Sequence, residues 1–351
     1  MSTPADLDLQ PDILGAPYVV ETIVLTPDEE GAVEANLVRR SAESPTGRAV
    51  LYVHGFADYF FQTEFAEWWT ERGYDFYALD LRKYGRSLRE HQTPNHVNDV
   101  HTYFEELDAA WSRISERDGH DLVVLAAHST GGLVTSLWAH HRQPALAGLV
   151  LNSPWFDMQG PLWLRTVGTL AIRGIGGYRP MRPIARSLTP FYGQSLHRDH
   201  AGEWDYDLAW KPLDSWPIYF GWLRSIREAH AELHRGLDIR CPVLVLTSGA
   251  SLSPRAMSEE VHGHDIVLDV RQIRRWAPAL GTHVTVVSIE GARHDVVLSR
   301  PAVRARVYAE IDSWVTAYAE FGDRRASSPE RRGDRSRLRG DRPSIPPEET
   351  P

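Results

Sequence analysis

The chain has 351 residues, 42% of them hydrophobic, and a formal net charge of −9. That is enough apolar content for a large core, and the negative balance argues against nucleic acid or an anionic membrane as an obligate partner. The single cysteine, Cys241, excludes an internal disulfide. No apolar run reaches transmembrane length, and the opening MSTPADLDLQPD, acidic and without an apolar core, does not read as a secretory signal. The expectation is a soluble, cytoplasmic protein.

Strand and helix patterns alternate along the chain. Residues 1–17 read as an extension. Tyr18–Leu25 and Ala32–Arg39 form a hairpin about the turn Asp28–Gly31. A strand at Ala49–Val53 ends in His54-Gly55-Phe56, a helix runs through Phe65–Arg72, and a strand covers Asp75–Asp80. Val100, Tyr103, Phe104, Leu107, Trp111 and Ile114 share one face of the next helix. The apolar strand Leu122–Ala127 stops at His128-Ser129-Thr130-Gly131, and a helical pattern follows at once, with Leu133–His140 as its helix. After the strand Ala147–Leu151, residues 157–237 show no strand pattern but many Pro, Gly and aromatic residues, Tyr192, Trp204, Trp210 and Trp222 among them. That stretch is too long for a loop without structure of its own. Strands at Pro242–Leu246 and from Val284 precede a closing helix marked by Val303, Val307, Ile311 and Trp314. From Gly322 to Pro351 the chain is rich in Arg, Pro, Ser and Asp, the composition of a disordered, solvated tail.

Three strand ends carry chemistry. Ser129 stands between a strand and a helix in A-x-S-x-G, the setting of a nucleophile elbow, with small Ala127 and Gly131 on either side. In sites of this kind the loop after an earlier strand and the residue after the nucleophile donate the oxyanion-hole amides; by position these are Phe56 and Thr130. The base follows the serine in chain order. Of sixteen histidines, His294 lies in a strand-end loop after Ser129, three residues beyond Gly291. His128 adjoins the serine but points away from its side chain, and His54 belongs to the oxyanion loop. The acid belongs between Ser129 and His294. Asp265, followed by apolar residues and a helix start, ranks first, displaced from its strand by the insertion SLSPRAMSEEVHGH. Asp269, suited to a helix cap, and Asp157, just after the Ala147 strand, remain alternatives, while Glu259 and Glu260 face water.

With these residues the chain resembles the α/β-hydrolase superfamily, nearest its monoacylglycerol-lipase, lysophospholipase and serine-aminopeptidase-like branch. The segment Asp80-Leu81-Arg82-Lys83-Tyr84-Gly85-Arg86-Ser87 is similar to that branch's D-x-R-G-x-G-x-S, with Lys83 where glycine is usual and Ala127 for glycine at the elbow. The resemblance spans roughly Val19 to Phe321. It implies a mostly parallel sheet with helices on both faces, a core of residues 18–156 and 238–321, and an inserted lid at 157–237 whose aromatics build a small core of their own and line an acyl pocket.

The implied activity is serine hydrolysis of carboxylic esters, monoacylglycerols or other medium to long acyl esters, with Ser129 attacking, His294 taking its proton and Asp265 orienting the imidazole. That chemistry needs no metal and no organic cofactor, and its partner is a small acyl ester. The same triad also serves an aminopeptidase or amidase and an acyltransferase. A hydrolase-fold protein that only binds ligand is the reading from another class. Because the tail cannot bury enough surface to order itself, truncation after Phe321 should leave melting temperature and turnover unchanged; a large loss of either would show that it docks on the domain.

Overall fold

The apolar and β-branched runs come together as strands of one sheet. The structure, a computed structural model, describes residues 9–159, 162–184 and 189–320. Among them are β1 (Leu9–Pro11), β2 (Val19–Asp28), β3 (Gly31–Arg40), β4 (Arg48–Val53), β5 (Tyr74–Asp80), β6 (Leu122–His128), β7 (Gly148–Asn152), β8 (Val243–Ser248) and β9 (Val284–Ile289). Their order across the sheet is β1-β2-β3-β5-β4-β6-β7-β8-β9. From β5 to β9 neighbours pair in parallel, and β1, β2 and β3 add an antiparallel flank. The central parallel strands are buried from end to end, which is why they read as continuous apolar runs. The edge strand β9 is only half buried.

Helices cover both faces, and the period-2 alternation of β4 shows how. Ala49, Leu51 and Val53 join a core with Leu107 of α2 (Phe104–Ser112), Leu133 and Leu137 of α3 (Thr130–Arg142), and Trp222 and Ile226 of α6 (Phe220–Leu233). Val50 and Tyr52 point the other way, to Phe65 and Trp69 of α1 (Thr63–Thr70) and Val307, Ile311 and Trp314 of the closing helix Pro301–Trp314. Between β7 and β8 the described residues hold α4 (Leu162–Tyr178), α5 (Phe191–Leu196) and α6. After β8 come α7 (Val270–Trp276) and then the closing helix, α8. No described helix is long and apolar enough to cross a membrane.

Three local expectations change. The helix expected through Val100–Ile114 is α2 flanked by a 3-10 turn at Val100–Tyr103 and a π turn at Arg113–Arg117. Its apolar face is still buried, except that Trp111 is half-exposed. Helix α3 starts at Thr130, directly on Ser129, three residues before the apolar stripe begins. Leu9–Pro11 of the N-terminal extension pairs antiparallel with β2, and Asp12 beside it is held by Arg86; three residues are too few to show a strand pattern. The tail after Gly322 lies outside the described residues.

The segment Asp80–Ser87 is a buried polar brace. Asp80 Oδ1 accepts from Phe60 N at 2.9 Å, and Oδ2 accepts from Arg86 N at 3.1 Å and Arg86 Nη1 at 2.8 Å. Arg86 also makes a bidentate pair with Asp12, at 2.6 and 2.8 Å, and all three side chains are nearly inaccessible. Gly85 has φ +45°, and a Cβ there would lie 2.4 Å from Tyr59 Cβ, so the brace and the 54–62 loop pack too closely for any side chain. Arg82 pairs with Glu106 of α2 through its Nε and Nη2. Lys83, in the place where glycine is usual, has φ +64°, a strained backbone for a lysine. Its buried ammonium lies 2.6 Å from both Asp28 and Glu30 of the β2–β3 turn, which offsets that strain. Since removing one partner of a buried ion pair typically costs about 3–5 kcal/mol, Asp80→Asn should lower the urea unfolding midpoint markedly; an unchanged midpoint would show that the brace adds nothing to stability.

Candidate active site

Four strand ends meet at one edge of the sheet: those of β4, β6, β8 and β9. From β4 the chain turns to one side of the sheet, to β5, whereas from β6 it turns to the other, to β7. That reversal marks the crevice where open α/β sheets bind ligands. Phe56 follows β4, Ser129 follows β6, and His294 follows β9.

Ser129 has φ +52° and ψ −117°, a conformation that costs a residue with a side chain about 1–3 kcal/mol. Backbone bonds on both sides hold it there. Ser129 N donates to Asn152 O, and Ser129 O accepts from Gly132 N and Trp155 N, each at 3.0 Å. A Cβ at residue 131 would lie 2.2 Å from His54 O, so only glycine lets the turn seat against the end of β4.

His294 Nε2 lies 3.0 Å from Ser129 Oγ, and His294 Nδ1 lies 2.9 Å from Asp265 Oδ2. All three residues are buried. The carboxylate accepts the proton of Nδ1, which leaves the Nε2 lone pair to accept the serine hydroxyl proton. Asp265 Oδ1 accepts from Val267 N and Leu268 N at 2.8 and 2.7 Å, which fixes the carboxylate's orientation. The insertion before it loops out and returns. Ser251 and Asp265 form a parallel bridge, with Asp265 N donating to Ala250 O and Leu252 N to Asp265 O.

The other two acids are engaged elsewhere. Asp269 is the N-cap of α7 and accepts from Arg271 N; hydrogen bonding to Arg271 holds its carboxyl below the usual carboxylate range. Asp157 pairs with Arg227 at 2.7 Å and accepts from Met158 N. Glu259 and Glu260 are exposed.

The backbone amides of Phe56 and Thr130 donate to no protein acceptor among the described residues. Thr130 is the first residue of α3, where an N–H has no partner within the helix. His54 Nε2 accepts from Leu81 N at 3.0 Å, so its Nδ1–H donates to Gly55 O at 2.8 Å. Burial lowers its pKa, so the ring is a neutral strut. His128 donates from Nδ1 to Asn152 O at 3.1 Å, and burial lowers its pKa as well. Burial also pushes the Cys241 thiol up, to about 12.

Other residues escaped the sequence reading. Asn152 donates to Asp295 Oδ1 at 2.6 Å and accepts from Val296 N at 3.0 Å, which clamps the segment after His294 to the end of β7. A polar residue closing a buried strand was the available signal. Lys211 lies 2.7 Å from Asp58 Oδ1, both buried, with its ammonium over the rings of Phe61, Tyr192 and Tyr206. Burial acts to raise the Asp58 carboxyl, yet the group stays below its ordinary range, with the Lys211 ammonium the foremost of the groups that lower it. Lys211 sits in a stretch without periodicity, so nothing local marked it. Aromatics of residues 157–237 pack on the sheet domain more than on each other. The Trp222 ring lies 4.4 Å from that of Phe56, Tyr206 lies 4.9 Å from Phe61, Trp210 lies 5.1 Å from Tyr59, and Tyr192 lies 5.7 Å from His294.

The family described as Serine aminopeptidase, S33 matches residues 44–301. A monoacylglycerol lipase from Paleococcus ferrophilus is similar in structure, with a TM-score of 0.61 at 20% identity, covering 80% of this chain and 98% of that one. A soluble variant of the monoglyceride lipase of Saccharomyces cerevisiae, solved with a substrate analogue, gives 0.63 at 15% identity, covering 90% and 98%. A thermostable carboxyl esterase from Bacillus coagulans gives 0.62 at 13%, covering 86% and 99%. No curated protein matches the chain by sequence.

Proposed function

We propose that this chain, which belongs to the Serine aminopeptidase, S33, family of α/β-hydrolases, cleaves carboxylic esters through an acyl-enzyme on Ser129. The observation that carries this reading is the hydrogen-bond chain Ser129 Oγ–His294–Asp265, at 3.0 and 2.9 Å, on a strained elbow. His294 takes the hydroxyl proton as Ser129 attacks the ester carbonyl, and the developing oxyanion is received by the Phe56 and Thr130 amides. Asp265 holds the imidazole and stabilises its cation. The alcohol leaves with the proton from His294. Water then enters, His294 takes its proton as it attacks the acyl carbon, and the acid departs as His294 returns that proton to Ser129 Oγ. Each step uses only groups of the chain and water.

Residues 157–237 act as the lid in this reading, with 18–156 and 238–321 as the catalytic core. Support comes from the rings of Tyr192 against His294 and Trp222 against Phe56, which bring apolar surface from that segment to the site. An apolar acyl chain, from a monoacylglycerol or another medium to long ester, fits such walls. The family description favours a second reading, amide cleavage beside a free amine. Against it, Asp58, the acid next to the oxyanion loop, is already neutralised by Lys211.

Ser129→Ala should abolish fluorophosphonate labelling and lower ester turnover on the order of 10⁴-fold or more; a folded variant with normal turnover would overturn the mechanism. Asp265→Asn should give a folded enzyme about 10⁴-fold slower, because the imidazole takes the wrong tautomer. Asp269→Asn should stay active and lose about 1 kcal/mol of stability with its cap, and Asp157→Asn should stay active too. Retained activity in the Asp265 variant, measured beside the other two, would place the acid elsewhere. Across an ester series, each buried acyl methylene should improve kcat/KM by up to about 0.8 kcal/mol until the pocket fills. A flat profile, or preference for amino-acid amides, would favour the peptidase reading.

A further inference from the structure

A second cluster of chemistry-bearing side chains lies far from the serine. His101 is in the 3-10 turn before α2, His141 in the last turn of α3, and Glu232 in the last turn of α6; the three elements pack together. His101 Nε2 lies 3.1 Å from Glu232 Oε2, and His141 Nε2 lies 2.5 Å from Glu232 Oε1. All three ligand atoms fall within 4.8 Å of one another. Along α3, with a rise of 1.5 Å per residue, His141 stands about 17 Å from Thr130.

We propose that His101, His141 and Glu232 bind a divalent transition-metal ion of the zinc type, with water as fourth ligand. This site is separate from the catalytic reading and does not depend on it. Two imidazoles and a carboxylate are a zinc ligand set, and bonds of about 2.0–2.2 Å set tetrahedral donors about 3.4 Å apart. The observed spacing needs only small side-chain movements to close. The two imidazoles are 35% and 41% exposed, so they can move, and water can reach the fourth position.

The surroundings support an ion here more than the three ligands alone would. Asp99 Oδ1 lies 2.8 Å from His101 Nδ1 and also accepts from His101 N at 2.9 Å. A carboxylate on Nδ1 fixes the tautomer that presents the Nε2 lone pair, the outer-shell arrangement typical of metal-bound histidines. Asp99 and Glu232 set two carboxylates against the two imidazoles, negative charge that a divalent cation balances. His141 and Glu232 each stand in the last turn of a helix, where the helix dipole also favours positive charge. A bound ion would tie α6 to α3 and to the turn before α2.

The test is titration of metal-stripped, full-length protein with zinc chloride by calorimetry, with Co²⁺ absorption as the probe of geometry. One equivalent of zinc should bind, and the Co²⁺ form should show the intense visible bands of four-coordinate cobalt. His141→Ala and Glu232→Gln should each remove that equivalent, along with the zinc-dependent rise in melting temperature. Asp99→Asn keeps all three ligands and should weaken zinc about 10- to 100-fold. No zinc uptake by the wild type, weak six-coordinate cobalt bands, or an equivalent held at wild-type affinity in both ligand variants would overturn the proposal. The last result would assign the binding to other histidines of the chain.

Discussion

The site depends on the turn at residues 128–132 lying hard against the end of β4. Ser129 sits at φ +52° because its N–H and carbonyl are bonded to Asn152, Gly132 and Trp155, while Gly131 meets the His54 carbonyl with no room for a Cβ. The same packing lifts the Ser129 hydroxyl towards His294 and starts α3 at Thr130, whose amide then has no helical acceptor. One steric contact therefore sets the serine, its neighbour's free N–H and the direction of the helix behind them. An otherwise unfavourable backbone persists because every flanking element fixes it.

Around that turn the chain buries charge in paired form. Asp80 holds the loop of Phe60 and the Arg86 guanidinium, Lys211 neutralises Asp58, and Asn152 grips the Asp295 carboxylate and the Val296 amide. Each arrangement links a residue beside the site to an element distant in sequence. Buried ion pairs need not add net stability against apolar replacements, but they tolerate few geometries. Here that intolerance is directed at the loops that carry Phe56 and His294.

Lys83 shows how a local rule can give way to a distant partner. Its left-handed backbone is glycine's natural place, yet the ammonium reaches Asp28 and Glu30 on the β2–β3 turn and fastens that hairpin to the sheet. The aromatics of residues 157–237 make a related point. Expected both to build a small core of their own and to line an acyl pocket, they include Trp222, Tyr206 and Trp210, whose rings lie against Phe56, Phe61 and Tyr59 of the sheet domain.

The alternation of strands and helices, the break at Ser129, and the strand-end positions of Phe56 and His294 are legible in sequence because they rest on short-range causes. A period of apolar residues decides which face is buried, and a small residue beside a turn decides how closely two backbones approach. Which of Asp265, Asp269 and Asp157 faces His294 is another kind of question. All three are acids in plausible loops, and the answer came from the return of a fourteen-residue excursion to the end of β8, sealed by the Ser251–Asp265 bridge. Only the tertiary structure decided the sheet order, the pairing of Lys211 with Asp58, the Asn152 clamp and the meeting of His101, His141 and Glu232. These are contacts between residues far apart in the chain, which no local spacing encodes.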